Sequence, residues 1–289
     1  MSEDARQLTP QSLAASAAGF ATLPDVYARI RSTLDDPGST HADVADVIGT
    51  DPALAARVLK IANSAFYGRP GTIARIPQAV GLLGTQQVHD LVLATVVIAG
   101  SKQLLGDKSA LRKFWRLSVT LAAASKLIAE DCGILDSERV FVAGLISQLG
   151  QLVVDKALPE VSDRLRQQAE DTGSDLAALQ RAQFGFDHAA VAAELFEQWQ
   201  LPPELIEPIR WLTQPSQAGD RELEASILNV AFTLAVGMVN DQPLDEVLSA
   251  FDEPAWQATG LTRERLTELR DATLALTEDL APILLDMAA

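Results

Sequence analysis

Cysteine is all but missing. Cys132 stands alone in 289 residues, so no disulfide can form within the chain, and a reducing, cytoplasmic compartment is the natural expectation. No basic start followed by an apolar core opens the sequence, so secretion is not expected. Aromatic residues make up only 5% while apolar residues reach 48%. With Ala and Leu abundant and runs of Val, Ile or Tyr few, that balance favours packed helices over sheets. Long apolar runs are scarce too. The strongest, residues 91–99 and 227–239, are shorter than the ~20 residues of a spanning helix or interrupted by Thr, so no membrane segment is expected.

Positive charge is scarce in one half only. Residues 1–144 carry 14 Lys/Arg against 14 Asp/Glu, whereas residues 145–289 carry 9 against 25, so the entire net charge of −16 lies in the second half. An acidic surface of that size repels phosphate backbones and anionic lipid heads. Nucleic acid and membranes are therefore excluded as expected partners, and no cofactor is expected.

What is present is well punctuated helix. Leu23-Pro24 opens a segment with Val26, Ile30 and Leu34 at four-residue spacing, closed by Asp35-Asp36-Pro37-Gly38. Ser39 or Thr40 can cap a helix bearing Val44, Val47 and Ile48, and Asp51-Pro52 is the clearest start signal in the chain. Further helices are expected at 77–83, 86–99 and from 111, then at 137–156, 159–172, 175–185, 188–199, 203–212 and 222–239. The polar stretch 101–109 reads as the connection between two bundles. After Gly260, Leu266, Leu269, Thr273, Leu276, Leu280 and Ile283 form a heptad stripe. It suits a helix packed on its own domain or, as the alternative, a homodimer through the C-terminal helix.

Two stretches carry a resemblance. One runs from Asp51-Pro52-Ala53-Leu54 through Ile61-Ala62-Asn63-Ser64-Ala65-Phe66-Tyr67-Gly68 and continues at Ile76-Pro77-Gln78-Ala79-Val80 and Leu83-Gly84. The other runs from Phe114-Trp115-Arg116-Leu117-Ser118 through Gly144-Leu145-Ile146-Ser147-Gln148-Leu149-Gly150 to Asp187-His188 and Trp199-Gln200-Leu201-Pro202. Together, over residues 18–240, they resemble the HDOD family, a branch of the HD metal-phosphohydrolase superfamily found in bacterial signalling proteins. The resemblance implies an all-α fold of two packed helical bundles: an amino-terminal one over residues 18–110 and a degenerate HD-type bundle over 111–240. An acidic linker and a C-terminal helix would then fill 241–289.

A working HD site gathers His and Asp from several helices around one or two cations. On the resemblance, the site falls at Leu117, Ser147, Gln148, His188 and Phe232. Leu117 stands where relatives carry a His, Ser147-Gln148 replaces the His-Asp pair, and Phe232 stands where an Asp is common. Hydroxyl and carboxamide are weak ligands beside imidazole and carboxylate, so no catalytic and no metal-ligating residue is assigned. Asp187 can cap the helix that His188 begins, leaving His188 to pack or hydrogen-bond. The one literal His-Asp dipeptide, His89-Asp90, lies in the first bundle with no partner His nearby and reads as surface or helix-cap. His41, at a helix start, is expected to be exposed, and Cys132 reads as a small buried residue.

The best candidate binding surface is the loop after the first signature helix. Asn63 and Ser64 can bond helix-end carbonyls, Phe66 and Tyr67 offer apolar area, and Arg57, Lys60 and Arg69 lend positive charge. A purely structural loop plugging the seam between bundles is the plainer reading. The expected function is a non-catalytic regulatory protein of bacterial signal transduction that binds other signalling proteins. A residual phosphohydrolase or nucleotide sensor using the HD cavity is the alternative.

Overall fold

The computed structural model describes residues 8–17, 25–64, 73–100 and 108–288, and every regular element among them is helical. A short helix α1 (Pro10–Ala17) precedes the first bundle, α2 (Asp25–Asp35), α3 (His41–Gly49), α4 (Pro52–Ala62), α5 (Ile76–Leu83) and α6 (Thr85–Gly100). The start signals act as read. Asp51 accepts from the backbone N–H groups of Ala53 and Leu54, with Pro52 in the first turn. Thr40 and Asp43 close a reciprocal capping box on α3. The Leu23-Pro24 start falls outside the described residues.

The second half of α6 is apolar and enclosed, Leu91 to Ile98 being buried without interruption, while Gln86 in its first turn is exposed. A helix of that kind must be covered on every side, and α2, α4 and α5 meet it from its own bundle while α8 and α17 meet it from the rest. His89 and Asp90 lie on it and are buried, 6% and 7% exposed. The expectation of a surface or cap position fails there, because the helix bearing them is central.

The second bundle is built on the long α7 (Lys108–Asp131), whose Trp115 is fully enclosed. It continues through α8 (Ser137–Ser147), α9 (Leu149–Ala157), α10 (Pro159–Thr172), α11 (Leu176–Phe184), α12 (His188–Gln198), α13 (Pro203–Arg210) and α14 (Glu222–Val239). The single helix expected over 137–156 is broken at Gln148, so Ser147-Gln148 forms a corner between α8 and α9. Glycines explain how the corner is packed. A Cβ at Gly150 would fall 2.0 Å from the His188 carbonyl oxygen and 2.6 Å from the Ala192 nitrogen, and one at Gly144 would fall 2.7 Å from Ser125 Oγ. Only hydrogen lets α9 press onto α12 and α8 onto α7 that closely.

Pro208 within α13 has no N–H to give the Glu204 carbonyl. Arg139 Nη1 on α8 donates to that carbonyl at 3.0 Å while its Nη2 reaches Glu224 on α14 at 2.8 Å, tying three helices together.

Residues 241–262, read as an acidic linker, instead form two further helices, α15 (Leu244–Ser249) and α16 (Glu253–Thr259), with Val247, Ala255 and Leu261 buried. The heptad stripe lies on α17 (Arg263–Ala288), which packs along α7; Leu266, Leu269, Thr273 and Leu280 are buried within the chain. Two stretches, Ser137–Ala157 and Gly219–Val239, do have the length and hydropathy of a membrane span, but most of their positions are buried inside the protein.

Candidate functional site

A partly open cavity of about 940 Å³ lies in the second bundle, with Ala250, Phe251 and Asp252 completing its wall, and four of the five positions read as a degenerate site line it: Leu117 from α7, Gln148 from the α8–α9 corner, His188 from α12 and Phe232 from α14. The fifth does not. Ser147 is fully buried and its Oγ donates to the Gly144 carbonyl at 3.0 Å, with the Gln148 amide 3.4 Å behind it.

His188 is held by a relay of side chains from α9 and α11. Its backbone N–H and its Nδ1 both meet Gln180 Oε1, at 3.0 and 2.9 Å. The Gln180 amide nitrogen donates to Gln151 Oε1 at 2.8 Å, and the Gln151 amide donates to Asp155 Oδ1 at 2.6 Å. Ser162 and Arg166 of α10 anchor the far end on the Asp155 carboxylate. Burial pushes the imidazole below its usual titration range, outweighing the raising pull of Asp187, Asp175 and Asp155.

Asp187, next to the histidine in sequence, is spent elsewhere. One oxygen caps α12 through the N–H groups of Ala189 and Ala190, and the other accepts from Arg181 and, at 2.6 Å, from Thr213 Oγ1. The capping role was legible in the sequence; the Arg181 and Thr213 contacts, which come from α11 and the α13 exit, were not.

These residues do not fit a catalytic cation. One neutral imidazole, a carboxamide, a hydroxyl turned back on its own helix, a leucyl and a phenyl group cannot supply the carboxylate and imidazole shell such an ion needs. Among the described residues no cluster of His, Cys, Asp and Glu gathers elsewhere into metal-binding geometry. In the first bundle, His89 Nδ1 lies 3.1 Å from Asp90 Oδ1 and its ring packs on Tyr27, centroids 5.2 Å apart. Burial pushes the Asp90 carboxyl above its usual range, more strongly than His89 and Gln86 lower it.

The family is decided by the match of the HDOD domain model to residues 20–215. The chain belongs to the HDOD family. A presumptive phosphohydrolase of Shewanella amazonensis shares its fold with a TM-score of 0.73 at 23% identity, the match covering 96% of this chain and 98% of that one. An HDOD domain protein of unknown function from Geobacter sulfurreducens gives 0.64 at 22%, over 92% and 98%. A presumptive signal transduction protein of Marinobacter aquaeolei gives 0.68 at 21%, over 93% of this chain and 60% of that one. In sequence, an uncharacterised protein of Treponema pallidum is 25% identical over 214 residues; the match spans 73% of this chain and 40% of that relative.

The loop read as a binding surface is divided. Asn63 is used inside the fold: its amide donates to the carbonyls of Leu59 and Ile73 at 2.8 and 2.7 Å and its Oδ1 accepts from the Ile73 N–H at 2.9 Å, closing the loop's two ends together. Ser64 is buried, Arg57 half-buried and Lys60 exposed. Phe66, Tyr67 and Arg69 lie outside the described residues. His41 is exposed as expected, and Cys132 is half-buried, its thiol donating to the Thr259 carbonyl at 3.4 Å and pushed up to about 11 by burial.

Proposed function

We propose that this HDOD protein is a non-catalytic regulator in bacterial signal transduction that works by binding other signalling proteins. One observation carries the reading: Leu117, Gln148 and Phe232, none of them a good cation ligand, line the cavity of the second bundle at positions where the family likeness places the HD site. Asp155 in its wall and Asp187 beside it are engaged by arginines. The signal-transduction description of the Marinobacter relative agrees with this role. A cytoplasmic location is part of this proposal, supported by a single cysteine that can form no disulfide within the chain.

The direct test combines metal analysis with turnover. Protein purified without chelator and loaded with Mn²⁺, Fe²⁺ or Zn²⁺ is expected to retain no stoichiometric ion and to leave bis(p-nitrophenyl) phosphate intact. Turnover that disappears in His188→Ala would establish the phosphohydrolase instead. Partner binding is tested by cross-linking in cells, with Lys60→Glu and Arg57→Glu expected to weaken the adduct.

A further inference from the structure

We propose that the cavity of the second bundle is a binding site for an uncharged, ring-bearing small molecule that donates a hydrogen bond to His188 Nε2. This goes beyond the protein-binding reading and does not depend on it: it concerns the interior of the bundle, not its surface.

The tautomer of His188 is fixed by its neighbours. Gln180 Oε1 already accepts the His188 backbone N–H, and the other end of that amide is committed as a donor to Gln151. Nδ1, 2.9 Å from the same oxygen, must therefore carry the proton. A neutral ring with Nδ1–H leaves a lone pair on Nε2, and the relay ending at the Asp155 carboxylate makes that lone pair a better acceptor. Nε2 is buried and has no partner within the protein. A second acceptor of the same wall is in the same position: Asn229 gives its amide N–H to the Leu212 carbonyl at 2.8 Å, and its Oδ1 is buried with no donor. Two unpaired acceptors in one wall each cost stability that a ligand's donor would recover.

The remainder of the wall selects the body of that ligand. Phe114, Phe232 and Phe251 offer flat apolar faces, and Phe251 is held in place by parallel stacking on Trp256 with centroids 5.0 Å apart. Charge selects against anions. Arg166 and Arg181 are committed to Asp155 and Asp187, and the one further lining cation, Lys113, faces three further lining carboxylates, Glu170, Asp175 and Asp252. Its volume lies within the roughly 300–1,000 Å³ usual for small-molecule sites.

The chain contains three histidines, so ring nitrogens of the full-length protein labelled with ¹⁵N-histidine can be followed one by one. Indole and 1-methylindole serve as probes, near-isosteric and differing in the N–H donor. Indole is expected to move the His188 Nε2 resonance, leave His41 unmoved, and bind about tenfold more tightly than 1-methylindole. In His188→Phe that preference is expected to vanish while both compounds still bind. Should that variant fail to fold, the wild-type spectrum decides: Nε2 found protonated before any addition overturns the proposal. So would no binding of indole up to its solubility, equal affinity for the two probes, or a His188 shift caused by inorganic phosphate instead.

Discussion

Each bundle buries one histidine, and the two are solved in opposite ways. His89 in the first bundle has a carboxyl as its sequence neighbour, and the pair touches at 3.1 Å; yet the helix carrying it is enclosed, and burial drives Asp90 toward its protonated form. His188 in the second also neighbours an aspartate in sequence, but Asp187 turns away to Arg181 and Thr213, and an amide from eight residues upstream takes its place. Adjacency in sequence thus says little about which groups share a site. The literal His-Asp dipeptide lies in the first bundle, while the larger cavity of the second is lined at the corresponding corner by Gln148.

The comparison can be broken most forcefully at the glycine beneath His188. Gly150→Ala places a methyl group 2.0 Å from the His188 carbonyl oxygen, and a loss of about 3 kcal/mol in denaturant unfolding is expected. A fully stable variant would mean that α9 and α12 are not in that contact. Next come the two caps. Asp51→Ala should cost about 1 kcal/mol, the ordinary value of an N-cap. Asp187→Ala should cost more, about 2 kcal/mol, because it also takes from Arg181 its nearest carboxylate and leaves it Asp175 at 3.7 Å. Equal losses at the two sites would show that the Arg181 contact contributes nothing. Smaller and opposite in sign is Gly81→Ala in α5, where a Cβ meets nothing within 4 Å; helix propensity predicts a gain of about 0.5–1 kcal/mol.

Acid and base should separate the two regions more gently. The folded pKa of His188 lies below its ordinary 6.5, so the unfolded chain binds the extra proton first. The stability this neutral histidine confers is full above that value and declines as pH falls below it. Asp90 runs the other way: with a folded pKa above 3.8, it favours the folded state at acid pH, and that contribution is lost as pH rises from 3.8 through the folded value. His188→Gln should flatten the first slope and Asp90→Asn the second, read by urea unfolding across pH. Slopes unchanged in both variants would remove these groups as the cause.

How much of this was legible in the chain differs between helix and site. Thr40, Asp51 and Asp187 announced their helices because capping is a matter of three or four consecutive residues. The corner at Gln148 was hidden, since residues 137–156 carry no proline and their glycines suit a close helix crossing as readily as a stop. The helices within 241–262 were missed for the opposite reason, an acidic and proline-containing stretch that reads as loop until packing on α14 supplies the apolar partners. At the site, the five positions came from family likeness, and the structure gathers four of them on one cavity wall. Gln151, Asp155, Gln180 and Asn229 could not have been named, because nothing local to them distinguishes a relay glutamine from a surface one.

The amino-acid sequence by itself determined most of the helices and their caps, since these rest on composition and short-range spacing, and its two motif stretches carried the likeness to the family. Only the tertiary structure decided which nitrogen of His188 carries the proton, that its other nitrogen is left without a partner, and that His89 and Asp90 lie inside. Those outcomes depend on groups from separate helices meeting within about 3 Å, a distance that the folding of the chain sets and the order of its residues does not display.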